Sequence, residues 1–271
     1  RELEDTNRGV VALYAELDEK AEDLRRADAM KSRFLSNMSH EFRTPLSSIR
    51  ALATLLLNRI DGELTGEQEK QVRFILQGSV ALSEMVNDLL DLAKIEAGKV
   101  DVRAEEFDVG EMFRALRGML RPLVEGNERL TLTFDEPLEA MKMFTDEGKV
   151  SQILRNFISN ALKFTEQGEV SVRAEALPDS ASIRFSVSDT GIGIDSAHLQ
   201  IVFEEFGQVE NHLQAKTKGT GLGLPLCRNL ATLLNGSVSV ESTPGKGSVF
   251  STIIPVIYTE GLGGRTAPAP R

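Results

Sequence analysis

Apolar or small residues recur seven apart at Leu3, Val10, Leu17 and Leu24, with Asn7, Tyr14, Ala21 and Asp28 four positions after each. This is a heptad with two polar defects in one seam, and it predicts a parallel coiled coil over residues 1–30. The register then steps: Met30, Phe34 and Met38 continue at a spacing of four, the behaviour of a segment that transmits rotation or splaying. Helical spacing runs on through Leu46, Ile49, Leu52, Leu56 and Leu57, breaks at the polar, glycine-containing residues 58–66, and resumes over residues 67–96. There Val72, Ile75, Leu76, Leu82, Val86 and Leu90 belong to a wide apolar stripe that ends at Gly98. Two long helices joined by a short turn are antiparallel neighbours. Their apolar faces are too broad for one hairpin to hide, so the pattern predicts a homodimer built on a four-helix bundle.

Beyond Gly98 the period changes. Strands are expected over residues 100–107, 130–134, 141–144, 170–176 and 183–187, and helices over 109–124, 147–164 and 221–234. Residues 238–241 and 248–255 form a closing hairpin across Pro244-Gly245-Lys246-Gly247. The sum is an α+β layer, a mixed sheet with helices on one face. The domain plan is then a signalling helix over 1–30, a helical hairpin over 31–98, a mixed domain over 99–256, and a glycine- and proline-rich tail or linker over 257–271.

Composition narrows the class. The chain has 41 acidic and 31 basic side chains, a net charge of −10, which argues against general nucleic-acid binding. A hydrophobic fraction of 41% is enough for a real core. No apolar run approaches the ~20 residues of a membrane helix, so a cytoplasmic placement is expected. The chain opens in mid-pattern without methionine and reads as an excised fragment, compatible with a membrane anchor upstream. The lone Cys227 excludes an internal disulfide.

Two groups of residues carry chemistry. His40 lies in Ser39-His-Glu-Phe-Arg-Thr-Pro-Leu46. Neutral imidazole is a competent nucleophile near pH 7, the neighbouring Glu41 can hold its other ring proton, and Thr44 follows one turn later. Pro45 removes a backbone donor just past the histidine. The second group comprises four stretches. In residues 156–164 the amides of Asn156 and Asn160 share a helix face, suited to magnesium, with Lys163 and Phe164 after them. Asp189-Thr-Gly191-Ile-Gly193-Ile follows a strand, offering an acceptor carboxylate beside a backbone that approaches a flat ligand. Phe203-Glu-Glu-Phe206 comes next, then Gly219-Thr-Gly221-Leu222-Gly223-Leu at a helix start, a phosphate cradle. No Walker lysine or Rossmann context accompanies these glycines.

The histidine octet resembles the phosphoacceptor box of bacterial two-component sensor histidine kinases, in their dimerisation and histidine phosphotransfer domain. The four later stretches resemble, in order, the N, G1, F and G2 boxes of the ATP-binding fold shared by histidine kinases, type II topoisomerases, Hsp90 chaperones and MutL-type repair proteins. The implied fold is a dimeric all-α hairpin bundle followed by an α+β sandwich of that type.

The resemblance implies that His40 is autophosphorylated, that Glu41 assists, and that Thr44 positions water when the domain dephosphorylates its partner. It implies Asn160 as the Mg²⁺ ligand, Asn156 near metal and phosphates, Lys163 on phosphate, and Phe164 against the base. Asp189 would take the adenine amine, with Gly191 and Gly193 shaping the wall and Phe206 closing the F box. Gly219, Gly221, Leu222 and Gly223 would let a polar lid over residues 207–218 cover the triphosphate. His212 and His198 are expected to be solvated, and Cys227 buried. The implied cofactors are ATP and Mg²⁺. The implied partners are a second copy, a response-regulator receiver aspartate and an upstream sensor. A catalytically silent ATP-binding module and an ATPase acting on DNA or a client protein are the competing readings.

Overall fold

The computed structural model describes residues 2–60, 62–125, 127, 129–135, 141–178, 181–208 and 220–259, with backbone alone for 2–6, 8, 10–12, 24, 28–29 and 31–40. The chain divides into two compact units, Arg1–Lys99 and Val100–Arg271.

The first unit is a helical hairpin. Helix α1 spans Glu2–Leu57 and runs through Pro45 without ending. Helix α2 spans Gly66–Glu96 and packs against α1. Its start is fixed by a capping box: the Thr65 hydroxyl accepts from the Gln68 N–H at 3.3 Å, while the Gln68 side chain accepts from the Thr65 N–H at 2.9 Å. The turn places Arg59 at φ 57° and ties it to Glu63 at 2.8 Å. Leu46 and Ala53 of α1 are buried with Val72, Ser79, Leu90 and Leu92 of α2. Other large apolar residues remain outside, among them Leu52 at 61% and Phe74 at 70% exposure. Among the described residues no helix is long and apolar enough to cross a membrane.

The second unit begins with β1 (Glu105–Asp108) and α3 (Val109–Val124). It continues through β2 (Leu130–Asp135), β3 (Lys142–Thr145), α4 (Glu147–Phe164), β4 (Gly168–Ala176) and β5 (Ser182–Asp189). Short 3₁₀ turns at Ser196–His198 and Ile201–Phe203 precede α5 (Gly223–Leu233), β6 (Ser237–Thr243) and β7 (Gly247–Pro255). Five strands form a mixed sheet in the order β2-β4-β5-β7-β6, in which only β2 and β4 run parallel. Strands β1 and β3 make a separate antiparallel pair.

Alternation on the central strand β5 shows which face is covered: Ile183, Phe185, Val187 and Asp189 are buried, while Arg184 between them is exposed. Helices α3, α4 and α5 lie against β2, β5 and β6 respectively. The buried stripe of α4, Val150, Ile153, Leu154, Phe157, Ile158 and Ala161, follows the helical period. Phe113 of α3 meets Phe185 edge-on at 6.3 Å, and Phe157 of α4 lies 5.6 Å from Phe250 of β7.

Two sequence expectations are corrected. The first strand occupies 105–108, not 100–107, because the Arg103 N–H donates to the Asp146 carboxylate at 2.9 Å instead of to a ladder. The last helix begins at Gly223, not Gly221, because Gly221 has φ 70°, outside any right-handed helix.

Candidate functional site

The site in the second unit grows from α4. Asp146 caps its first turn, accepting from the Lys149 N–H at 3.1 Å. With the apolar stripe turned to the sheet, Asn156, Asn160 and Lys163 fall together on one half-buried flank. The Asn156 amide reaches the start of α5, 3.5 Å from the Gly223 carbonyl oxygen. A side chain at residue 223 would press on it, its Cβ 3.3 Å from Asn156 Oδ1. Lys163 Nζ sits 5.0 Å from the centre of the Phe164 ring, and burial pushes its ammonium below the usual lysine range.

The C-terminal end of α4 is also the docking point for the loop after β5. The Phe164 carbonyl accepts from the Ile192 N–H at 3.3 Å, and Gly191 packs so closely that a Cβ would lie 2.3 Å from the same oxygen. Asp189, at the end of β5, is 6% exposed. Burial pushes its carboxyl above the ordinary range, and donation from the Gly191 N–H and from the backbone and hydroxyl of Ser248 pulls part of the way back.

The other side of this loop rests on the β6–β7 hairpin. Gly193, at φ 68°, faces Thr243 so closely that a Cβ would stand 2.1 Å from its carbonyl oxygen. The Gly245 N–H donates to the Ile192 oxygen at 2.7 Å, and the Ile194 N–H donates to Ser242 Oγ at 2.7 Å. Gly247 crosses the Asp189 backbone where a Cβ would meet the carbonyl oxygen at 1.9 Å.

In the Phe203–Phe206 stretch the two rings differ. Phe203 is buried, whereas Phe206 is 59% exposed. Phe206 holds φ 59°, a left-handed conformation uncommon for a bulky residue. Its N–H donates to the Gly221 oxygen at 3.1 Å, and Leu222, fully buried, anchors the start of α5.

The structure therefore brings together Asn156 with Gly223, Phe164 with Gly191 and Ile192, and Phe206 with Gly221. His40, Glu41 and Thr44 lie on α1 in the other unit; Glu41 and Thr44 are exposed, and only the backbone is described for His40. Gly219, His212 and most of the expected lid, residues 209–219, lie outside the described residues. His198 is half-buried with an unpartnered, buried Nδ1, against the expectation of a solvated residue. Cys227 is buried.

The sequence reading missed Ser242 and Ser248. Their signal is the Ser-Thr-Pro-Gly-Lys-Gly-Ser run, whose local pattern reads only as a turn.

The residues present suit a magnesium nucleotide. Among the described residues no group of three or more His, Cys, Asp or Glu converges as a metal site. Magnesium bound through phosphates, water and one amide oxygen needs no such cage. A half-buried amide flank, a desolvated lysine and a buried acceptor carboxylate supply the matching donors and acceptors.

Comparison with known proteins follows this division. Residues 30–98 match the His Kinase A (phospho-acceptor) domain, and residues 145–257 match the histidine kinase-, DNA gyrase B- and HSP90-like ATPase. The autoinducer 2 sensor kinase/phosphatase LuxQ of Vibrio parahaemolyticus is 37% identical over 88% of this chain and 28% of its own length. The sensor histidine kinase GacS of Pseudomonas protegens is 36% identical over 87% of this chain and 26% of its own. The chain thus spans under a third of these two relatives. Full-length ShkA in complex with AMPPNP superposes with a TM-score of 0.66 at 32% identity, over 84% of this chain and 46% of that one. The histidine kinase AdeS of Acinetobacter baumannii, with a TM-score of 0.57 at 20% identity over 80% of this chain and 98% of that one, shares the fold. A phospho-acceptor helical hairpin followed by this α+β ATPase layer places the chain in the bacterial two-component sensor histidine kinase family, as a catalytic core.

Proposed function

We propose that this chain transfers the γ-phosphoryl group of ATP to His40 and passes it to an aspartate on a response-regulator receiver domain. The observation that carries the reading is the presence in one chain of the intact Ser39–Leu46 octet and of a buried carboxylate whose loop docks on the end of α4, the helix that bears two amides and a desolvated lysine. The free imidazole nitrogen of His40 attacks the γ-phosphorus, the bond to the β–γ bridging oxygen breaks, and ADP leaves. Glu41 holds the proton on the other ring nitrogen. Asp189 accepts from the adenine amine. Asn160 is the protein ligand to Mg²⁺, with Asn156 beside it and Lys163 on phosphate; when bound, the ion neutralises charge on the phosphates.

Thr44 orients water for the reverse task, removal of phosphate from the receiver; the name of the LuxQ relative, a sensor kinase/phosphatase, supports this second activity. The exposed apolar residues of α1 and α2 support a homodimer that closes a four-helix bundle. An upstream sensor would shift how often the competent state forms.

The test is labelling with γ-³²P ATP and Mg²⁺ on the native chain, His40→Gln and Asn160→Ala. Acid-labile, base-stable label on the native chain alone supports the reading. A native chain that binds ATP, never labels, and cannot dephosphorylate a receiver refutes it in favour of a silent signalling module.

A further inference from the structure

The helix-facing side of the sheet is apolar apart from Thr252 and one polar end. Across β4, β5, β7 and β6, one registered row reads Val172, Val187, Phe250 and Val240. One pleat further on, the row reads Val170, Asp189, Ser248 and Ser242. Three neighbouring strands thus present a carboxylate and two hydroxyls side by side where their neighbours present hydrocarbon. Asp189 and Ser248 are each 6% exposed. Polar groups held so deep are retained at a cost unless every hydrogen bond is made.

The hydrogen bonds run in one direction. The Ile194 N–H can only donate, and it donates to Ser242 Oγ at 2.7 Å. Ser242 Oγ lies 3.0 Å from Ser248 Oγ and 2.9 Å from the Gly247 carbonyl oxygen. Each hydroxyl has one hydrogen. The Ser248 hydroxyl spends its hydrogen on the Asp189 carboxylate, so the only hydrogen between the two serines is that of Ser242, shared between the Gly247 carbonyl oxygen and Ser248 Oγ. The result is a relay from Ile194 N–H through Ser242 and Ser248 to Asp189, each link polarising the next. Ser242 also ties the loop that bears Gly191 and Gly193 to the strand that bears Ser248.

We infer that Ser242, on the edge strand β6 and outside every glycine-rich motif, is a positioning residue that orients Asp189, through Ser248, toward the exocyclic amine of a purine nucleotide. This rests on the nucleotide reading above. Ser242 itself touches no nucleotide; its effect is on which base the site prefers.

The experiment measures binding of ATP and of purine riboside 5′-triphosphate, which lacks the 6-amino group, to the native chain and to Ser242→Ala, Ser242→Thr and Ser242→Cys. Losing one link of the relay weakens ATP roughly fivefold to tenfold and the amine-free analogue less than about twofold. Discrimination between the two therefore shrinks. Ser242→Thr keeps the hydroxyl and restores it. Ser242→Cys keeps the volume with a weak donor and follows Ser242→Ala, which preserves the test if the alanine variant does not fold. In a Ser248→Ala background, Ser242→Ala removes no further discrimination, since the two act in series. Equal weakening of both nucleotides, failure of threonine to rescue, native discrimination in the cysteine variant, or additivity with Ser248→Ala each overturns the inference. A native chain that binds neither nucleotide overturns the nucleotide reading itself, and the inference with it.

Discussion

Asp88→Asn is expected to stabilise the helical unit at neutral pH and to leave it almost unchanged in acid. Asp88 is half-buried on α2, where burial first, and then the charges of Asp91 and Glu84, push its carboxyl up from 3.8 to about 6. That rise corresponds to roughly 3 kcal/mol against the charged form. The carboxyl keeps part of its contact with solvent, and screening reduces the figure to about 1–2 kcal/mol. In the unfolded chain Asp88 ionises near its ordinary value, so between 3.8 and about 6 the native state binds more protons. Stability from this group is fully present below 3.8, falls as pH rises through about 6, and is level above. Asparagine keeps the shape and has no proton to release. The assay is calorimetric unfolding of the native and variant chains at fixed protein concentration, since oligomerisation would otherwise shift the midpoint. At about pH 7.5 the variant gains 1–2 kcal/mol, or roughly 5–10 °C for a unit of this size, and at about pH 3, below the unfolded value, the gap closes to near zero. An equal gain at both pH values, or none at neutral pH, refutes the argument.

Other substitutions separate the forces holding the two units. Thr65→Ala removes the capping-box bond that the Thr65 hydroxyl accepts from the Gln68 N–H and is expected to cost about 1 kcal/mol in denaturant unfolding of the hairpin. Gly247→Ala forces a Cβ to 1.9 Å from the Asp189 oxygen at φ 108° and costs roughly 3 kcal/mol or more. Gly245→Ala, at φ 75° with open space around it, costs only about 1–2 kcal/mol, so the two thermal midpoints should differ clearly. Asp189→Asn abolishes recognition of the adenine amine in nucleotide titrations. Because burial raises this carboxyl, its penalty appears as pH rises through the folded value, so the variant is at least as stable as the native chain at neutral pH and loses that advantage in acid.

What was legible in the sequence follows from the range of the forces involved. Helix α4 has the bounds its own residues dictate, because the apolar period and the Asp146 cap are contained within it. The β6–β7 hairpin was legible for the same reason, its turn being only residues 244–246. Strand β1 was overextended because alternation over 100–107 is local, whereas its length is set by a distant partner: only four residues pair with β3, and the preceding backbone is taken by Asp146. Gly221 was read into a helix because a glycine run carries no sign of φ. The motifs around Asn160, Asp189 and Gly221 could be picked out by spacing, but the serines could not, since Ser248 stands opposite Asp189 only through strand pairing across 59 positions. The chemistry proposed for His40 rests on its octet alone; periodicity places it on a helix and says nothing of a nucleophile.

The two ends of the candidate site are built differently. Around Asp189 the loop is fixed from both sides by backbone: Phe164 accepts from Ile192, Gly245 donates to it, and glycines close contacts that admit no Cβ. Such a floor has little freedom to accept another base, because any shift breaks several buried hydrogen bonds together. At the other end Phe206 keeps an unfavourable φ through close packing against Gly221 and the single bond between them. Strain of this kind costs roughly 1–3 kcal/mol and is available to be released when contacts change. On the activity proposed above, which holds one base, admits a triphosphate and releases a diphosphate, that asymmetry assigns selectivity to the rigid end, and turnover to the end where little free energy separates one backbone state from the next.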